Sequence, residues 1–103
     1  MLNLYNNLIK NNLHNMKKFV VIGSGRQGIA VAYDLLRDTN HHVTMVDISN
    51  SLLKEALKKI SRITNNKNLD GIRCDVTDYD QMLTILLDKD VMISAVPYEF
   101  NLA

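Results

Sequence analysis

Apolar and polar positions along the chain follow two spacings, and each spacing predicts one kind of element. Short apolar runs predict strands at about 18–22, 43–47 and 91–95, and a short run broken by Gly71 predicts another at about 69–74. The run at 91–95 is continuous, as expected of a strand that is covered on both faces. Apolar residues spaced three or four positions apart predict helices at about 26–38, at about 51–62 and after residue 78. Strands that alternate with helices in this way are typical of an α/β fold with a parallel sheet.

The helical stripes also predict which side of each helix packs against the sheet. The predicted buried face of the first helix consists of Ile29, Ala32, Leu35 and Leu36. The predicted buried face of the second consists of Leu53, Ala56, Leu57 and Ile60. The predicted buried face of the third consists of Tyr79, Met82, Leu83 and Leu86. Thr77, with Asp80 three residues later, resembles a capping box at the start of this third helix.

The first strand runs directly into a glycine-rich turn, which reads Gly23-Ser24-Gly25-Arg26-Gln27-Gly28. A strand, a glycine turn and a helix N-terminus in this order form a cradle for phosphate. In such a cradle Gly23 permits the tight turn, Gly25 lets the backbone approach a pyrophosphate, and Gly28 lets the helix pack closely on the strand. The G-x-G-x-x-G pattern alone is a weak signal, so its weight depends on the residues downstream of the helix.

The second strand ends in an acid, Asp47, which lies 24 residues after Gly23 and 19 after Gly28. This spacing is close to that of a carboxylate that holds the adenosine ribose, and Ile48 beside it belongs to the same predicted site. The other interpretation of Asp47 is a helix or turn cap, since the second helix opens just after it. No Arg or Lys occurs from Asp47 until Lys54, so a 2′-phosphate would meet a carboxylate without a nearby cation. We therefore expect the cofactor to be NAD rather than NADP.

Together these features predict a three-layer Rossmann-type parallel sheet, β-α-β-α-β-α-β, with strand order 3-2-1-4. The sequence ends where a further helix would begin, so we expect this sheet to be truncated after strand four. Residues 16–103 form the predicted NAD(P)-binding domain, which is incomplete without a second half. Residues 1–15 are rich in asparagine and are expected to be a poorly ordered N-terminal extension.

The carboxyl ends of strands three and four add candidate residues to the site. In a sheet of this order the loop after strand three lies near the adenine, so Asp75 and Val76 are candidates to border the base. Turn and capping chemistry explains these two residues equally well. Val96, Pro97 and Tyr98 follow strand four, beside the glycine turn.

Composition narrows the classes of partner. The chain has 103 residues and a formal net charge of +1, which suits one globular domain and gives no electrostatic basis for binding nucleic acid or a membrane surface. No apolar run approaches the roughly 20 residues that span a bilayer, so we expect no membrane partner and a cytoplasmic location. The single cysteine, Cys74, agrees with a reducing compartment and is interpreted as a small buried residue without a catalytic role. His41 and His42 are interpreted as a solvated loop pair, and the sequence predicts neither catalytic nor metal-ligating residues.

Two stretches carry a family resemblance: FVVIGSGRQGIAVAYDLLRD and CDVTDYDQMLTILLDKDVMISAVPYEFNLA. Their G-x-G-R-x-G turn, their D-V-T-D after strand three and above all their SAVPYEFN at the end of strand four resemble the saccharopine dehydrogenase family. Within that family, the chain looks most like the saccharopine dehydrogenase-like and lysine 6-dehydrogenase enzymes. The resemblance covers roughly residues 17–103.

The resemblance implies NAD(P)-dependent oxidoreductase chemistry at a C–N bond of an amino acid or imine, as in lysine and saccharopine metabolism. Carried over by position, it implies that Gly23 to Gly28 hold the pyrophosphate and Asp47 the ribose, while Asp75 and Val76 flank the adenine. It also implies that the approach to the nicotinamide ribose is lined by Ala95, Val96, Pro97 and Tyr98. Members of the family continue for several hundred residues with a substrate and dimerisation domain. An amino-acid substrate and a homodimer are therefore expected only of a complete protein, and catalysis is not expected of this chain alone.

A second hypothesis is a small nucleotide-binding regulatory module without catalysis, like the Rossmann-type domains that gate potassium transport. Those domains also pair the glycine turn with an acid after strand two and a D-x-T-D turn. The SAVPYEFN segment argues against this hypothesis, although fold alone does not fix function. A third hypothesis is an inert product of a decayed gene.

Overall fold

The computed structural model describes residues 16–37 and 40–96, and these residues form four strands and three helices. The strands are β1 (Lys18–Ile22), β2 (His42–Asp47), β3 (Leu69–Arg73) and β4 (Val91–Ser94). The helices are α1 (Arg26–Arg37), α2 (Asn50–Thr64) and α3 (Tyr79–Leu86). The predicted ends of the elements agree with these bounds within two residues. The expectations about residues 1–15, Asp38, Pro97 and Tyr98 lie outside the described residues.

The four strands form one parallel sheet with the predicted order, β3-β2-β1-β4. Alternate residues of β1 point to opposite faces, and each face has its own core. Val21 belongs to a cluster in which buried residues of α1 and α2 pack on the sheet. Val20 and Ile22 belong to a second cluster, which contains Met82 and Ile85 of α3. The result is a three-layer arrangement, with α1 and α2 on one face of the sheet and α3 on the other.

The predicted buried faces are correct for α1 and α2, whereas in α3 the prediction is correct for Met82 and Leu86 and wrong for Tyr79 and Leu83. Tyr79 and Leu83 are 77% and 52% exposed, whereas Met82 and Ile85 are buried. The reason is that α3 carries two apolar stripes, and the stripe that starts at Tyr79 and Leu83 continues into exposed Leu87. Only one stripe of a helix can face the sheet, and here Met82 and Ile85 form it.

The cap of α3 also differs from the expected capping box. Asp78 is the N-cap, and its Oδ1 accepts a hydrogen bond from the backbone N–H of Gln81 at 3.2 Å. The hydroxyl of Thr77 instead donates to Oδ1 of Asp75 at 2.7 Å. An aspartate is as good an N-cap as threonine, so the residue that lies immediately before the helix takes the role.

Strand β4 is an edge strand, and the expectation that both of its faces are covered is wrong for the described residues. Val91 and Met92 are 39% and 53% exposed, although they continue an apolar run. The pairing of β4 with β1 alone leaves its outer edge open within the described part of the chain.

His41 is buried rather than solvated, which corrects the interpretation of the histidine pair. Its Nδ1 accepts a hydrogen bond from the backbone N–H of Lys17 at 3.2 Å, and its ring lies edge-on to Phe19 with centroids 5.1 Å apart. Burial lowers the pKa of His41, and the charge of Lys17 lowers it further. His41 therefore serves the packing at the start of β1.

Candidate dinucleotide-binding site

The carboxyl edge of the sheet opens into a cleft of about 570 Å³. Because the strands are parallel, the turns that come after them meet at this edge, as ligand sites of open α/β sheets do. The predicted site residues that line the cleft are Gly23, Ser24, Gly25, Arg26, Gln27, Asp47, Ile48, Asp75, Val76, Ala95 and Val96. The cleft residues that were not predicted as site residues are Ile22, Val46, Ser49, Leu52 and Cys74. Gly28 is buried just behind the turn.

The three glycines of the turn have three different surroundings. Gly23 has φ +102°, a left-handed conformation that favours glycine, and its N–H donates to the carbonyl of Val46 at 2.8 Å. A Cβ on Gly28 would overlap the carbonyl oxygen of Gly23, so this position admits only glycine at the present helix–strand separation. A Cβ on Gly25 would have no neighbouring atom within 4 Å. The backbone is therefore open at Gly25, which fits the close approach of a phosphate.

The end of β4 packs against the glycine turn. The N–H of Ala95 donates to the carbonyl of Ile22 at 2.7 Å, which continues the β1–β4 ladder beyond the strand. A Cβ on Gly23 would lie 3.1 Å from the carbonyl oxygen of Ala95, so the turn and the end of β4 are in close contact. Val96 is half-buried and packs against the α3 side of the core.

The carboxylate of Asp47 connects the end of β2 to the glycine turn. Its Oδ2 accepts from the N–H of Ser24 at 2.8 Å and from the hydroxyl of Ser24 at 2.6 Å, and its Oδ1 accepts from the N–H of Ser49 at 2.9 Å. Burial alone would raise the pKa of Asp47, but the hydrogen bonds from Ser24, Ser49 and Ile48 outweigh it and hold the pKa below its usual range. The N-cap of α2 is Ser49, so Asp47 is not the helix cap, but its Oδ1 closes a turn onto the N–H of Ser49, as the turn-cap interpretation expects. The cleft thus contains a carboxylate that is ionised at neutral pH.

This hydrogen bonding predicts how acid affects stability. Because the pKa of Asp47 is lowered on folding, its ionised form contributes stability above the unfolded-state pKa, and that contribution is lost as pH falls through the folded-state pKa. We expect Asp47→Asn to unfold more easily than the wild type at neutral pH and to lose less stability on acidification below about pH 4. Urea unfolding of both proteins across this range measures the difference. Parallel losses of unfolding free energy in the two proteins would contradict the assignment.

One wall of the cleft is apolar although it lies at the surface. Ile48, Leu52 and Val76 are 53%, 47% and 50% exposed, and all three side chains line the cleft. Leu52 lies off the buried stripe of α2, and this misplaced apolar position is the sequence signal that could have revealed it. An exposed apolar wall of this kind suits the flat face of a base.

Cys74 and Asp75 connect the end of β3 to Val76 of the apolar wall. Asp75 closes a local turn, since its Oδ1 accepts from the N–H and the hydroxyl of Thr77 at 2.9 and 2.7 Å. These bonds hold the pKa of Asp75 below its usual range. The Cys74 thiol is buried, and burial raises its pKa, with the charges of Asp78 and Asp75 raising it further. Such a thiol is a poor nucleophile, which agrees with a structural role.

The fold and the site together define a class: this is a Rossmann-type dinucleotide-binding domain, with a glycine turn after β1 and an acid at the end of β2. Residues 19–103 match the family described as the saccharopine dehydrogenase NADP binding domain. The chain belongs to this family, as its NAD(P)-binding domain, which confirms the resemblance found in the sequence.

Two solved structures show the same architecture. Quinate dehydrogenase from Corynebacterium glutamicum in complex with NAD aligns with a TM-score of 0.67 at 20% identity, over 86% of this chain and 30% of that one. Apo saccharopine dehydrogenase (L-Glu forming) from Saccharomyces cerevisiae aligns with a TM-score of 0.59 at 28% identity, over 82% of this chain and 18% of that one. The first likeness, at its low identity, shows the fold alone. This chain spans less than a third of the length of either protein.

Two further kinds of feature are absent from the described residues. Residues 16–37 and 40–96 contain no helix that is long and apolar enough to cross a membrane. The same residues contain no group of three or more His, Cys, Asp and Glu side chains placed to hold a metal ion.

Proposed function

We propose that the cleft binds NAD in preference to NADP, and that the complete protein is an oxidoreductase acting on a C–N bond of an amino acid. The observation that carries the first part is the ionised carboxylate of Asp47, held in the cleft beside the glycine turn. The family assignment supports the second part.

The pyrophosphate is assigned to the glycine turn. The open space at Gly25 admits a phosphate, and the N-terminus of α1 directs backbone N–H groups and the positive end of its dipole toward the turn. Arg26 lines the cleft as an exposed cation at that helix start, and Gln27 offers an amide beside it. This set of donors fits a diphosphate.

The adenosine half is assigned to the opposite side of the cleft. Asp47 accepts a ribose hydroxyl, and the apolar wall of Ile48, Leu52 and Val76 covers the adenine. Ala95 and Val96 are assigned to the remaining half of the dinucleotide, and the family resemblance assigns Pro97 and Tyr98 to the same half. Each group of site residues is thus assigned to one part of the same dinucleotide.

The preference for NAD rests on charge. A 2′-phosphate would lie against the ionised Asp47, and Arg26 is the one basic residue among the described side chains that line the cleft. Arg73 is the register partner of Asp47 on β3, but its side chain does not line the cleft. The negative charge at Asp47 therefore disfavours the phosphorylated cofactor.

We expect Asp47→Asn to weaken NADH binding about tenfold, because a hydrogen bond to a charged acceptor is stronger than one to a neutral acceptor. We also expect its preference for NADH over NADPH to shrink. Asp70→Asn is the matched control, since Asp70 is an exposed aspartate of β3 that does not line the cleft. Calorimetric titration of each variant measures both affinities. If Asp47→Asn binds NADH as tightly as the wild type does, and NADPH as tightly as the wild type does, the assignment of Asp47 to the ribose is contradicted.

The catalytic part of the proposal concerns the complete protein. A nicotinamide, when bound, accepts or supplies hydride; the residues described here bind and orient its carrier. We propose an amino-acid substrate, a homodimeric assembly and a cytoplasmic location for the complete protein. Purification from the native source, followed by an NADH absorbance assay with NAD and L-lysine or saccharopine, tests the activity. Tight NADH binding without turnover of either substrate would contradict it and would favour the regulatory module.

A further inference from the structure

Ser24 is almost fully enclosed, and both of its polar donors serve one acceptor. The residue is 2% exposed, and its backbone N–H and its hydroxyl both donate to Oδ2 of Asp47, at 2.8 and 2.6 Å. The second oxygen, Oδ1, accepts from the N–H of Ser49 at 2.9 Å. The backbone N–H of Ile48 also hydrogen-bonds to this carboxylate and helps to lower its pKa. A carboxylate offers about four acceptor positions, so the chain's own donors occupy nearly all of them.

This arrangement restricts what Asp47 can do. The carboxylate cannot rotate without breaking bonds to Ser24 or Ser49, so its charge is fixed in the cleft. A ribose hydroxyl brings a proton, which a carboxylate oxygen accepts in a further, shared hydrogen bond. A phosphate dianion brings charge and no proton, and is repelled. A carboxylate that was free to turn would swing away from such a phosphate, and its discrimination would be weaker.

We propose that Ser24 is a specificity-determining residue, whose hydroxyl fixes the Asp47 carboxylate and thereby sets the preference for NADH over NADPH. This inference rests on the proposed function, in which Asp47 meets the adenosine ribose. Ser24 acts through Asp47 and is thus a positioning residue. A purely structural role, in which Ser24 only holds the glycine turn, would affect both nucleotides equally.

The test is a double-mutant cycle on nucleotide preference. The dissociation constants for NADH and NADPH are measured by calorimetry in the wild type, Ser24→Ala, Asp47→Asn and the double variant. We expect Ser24→Ala to reduce the ratio of NADPH to NADH dissociation constants about tenfold, with most of the change in NADPH. In the Asp47→Asn background, we expect Ser24→Ala to leave that ratio unchanged, because the charge that it positions is gone.

Two further variants serve as a control and as a replacement for Ser24→Ala. Ser51→Ala is the matched control, because it also removes a serine hydroxyl that contacts another side chain: the Ser51 hydroxyl lies 3.2 Å from that of Ser49. Ser51 does not line the cleft, so we expect this variant to keep the wild-type ratio of dissociation constants. Ser24→Cys keeps the branching of the side chain, with a somewhat larger sulfur, and replaces the hydroxyl with a weak donor, so it also lowers the ratio. Thermal unfolding of each variant establishes that it is folded, and Ser24→Cys replaces Ser24→Ala in the cycle if the alanine variant is not.

Three outcomes overturn the inference. Equal weakening of both nucleotides by Ser24→Ala assigns Ser24 a structural role only. A change of the ratio that persists in the Asp47→Asn background shows that Ser24 does not act through Asp47. If the wild type binds neither NADH nor NADPH, the proposed function is overturned as well. This outcome is seen in the wild-type titration, before any variant is compared.

Discussion

Replacing Gly25 with valine abolishes NADH binding while the chain stays folded. A Cβ at this position has no neighbouring atom within 4 Å, and Gly25 does not have a positive φ, so the fold accommodates a larger side chain. The same open space is the one assigned to the pyrophosphate. A branched side chain there keeps the phosphate from the backbone N–H groups of the turn. We expect the affinity for NADH to fall by at least about 100-fold, or about 2.7 kcal/mol.

Stability separates this effect from misfolding. Gly25 lies directly before α1, and its carbonyl accepts from the N–H of Ile29 at 2.9 Å, so it occupies the N-cap position. Valine is a poorer N-cap than glycine, and we expect a loss of about 1 kcal/mol or less in unfolding free energy. Calorimetric titration with NADH and thermal unfolding measure the two effects on one sample. An unchanged NADH affinity in a folded Gly25→Val protein would contradict the assignment of the pyrophosphate to the glycine turn.

Replacing Gly28 with alanine unfolds the domain or weakens it severely. Within a helix, this change normally stabilises, by about 1 kcal/mol. Here the new Cβ would overlap the carbonyl oxygen of Gly23 and lie 2.8 Å from its carbon, and neither atom can move without shifting the turn. Helix α1 must then move away from β1, which disturbs the buried packing of Ala32 and Leu36. We expect a loss of at least about 3 kcal/mol of unfolding free energy.

Urea unfolding followed by circular dichroism measures this loss. Gly25→Ala is the matched control, because it adds the same methyl group in the same turn but away from the clash, where the space is open. We expect the control to unfold within about 1 kcal/mol of the wild type. A Gly28→Ala protein with the wild-type midpoint would mean that α1 and β1 are farther apart than the structure has them.

The topology was predictable from the sequence because its signals act locally. Each strand and the helix after it are adjacent in the chain. The spacing of the three glycines and Asp47 then identifies β1, α1 and β2 as a nucleotide-binding β-α-β unit. The stripe of α2 at Leu53, Ala56 and Ile60 packs as predicted, since these residues repeat at helical spacing, while the apolar residues Leu52 and Ile63 off that stripe are exposed. The strand order is then set by the class of fold, and it is confirmed.

The errors concern contacts between distant parts of the chain. In α3, two apolar stripes compete, and only the position of the sheet shows that Met82 rather than Leu83 is buried. His41 looks solvated beside a loop, but Lys17 and Phe19 at the start of β1 enclose it. The double hydrogen bond of Ser24 to Asp47 joins residues 23 apart and has no signature in the spacing.

The central claim is that this cleft binds a dinucleotide, and an NMR titration of the isotope-labelled chain with NADH tests it most directly. Backbone amide signals report both whether the nucleotide binds and where. We predict saturable binding, with the largest shifts at the amides of Gly23, Ser24, Gly25, Gln27, Ser49 and Val76. Amides of β4 before Ala95 and of the exposed face of α3 should move little. Unchanged spectra up to millimolar NADH, or shifts confined to a surface away from the carboxyl edge of the sheet, would contradict the claim.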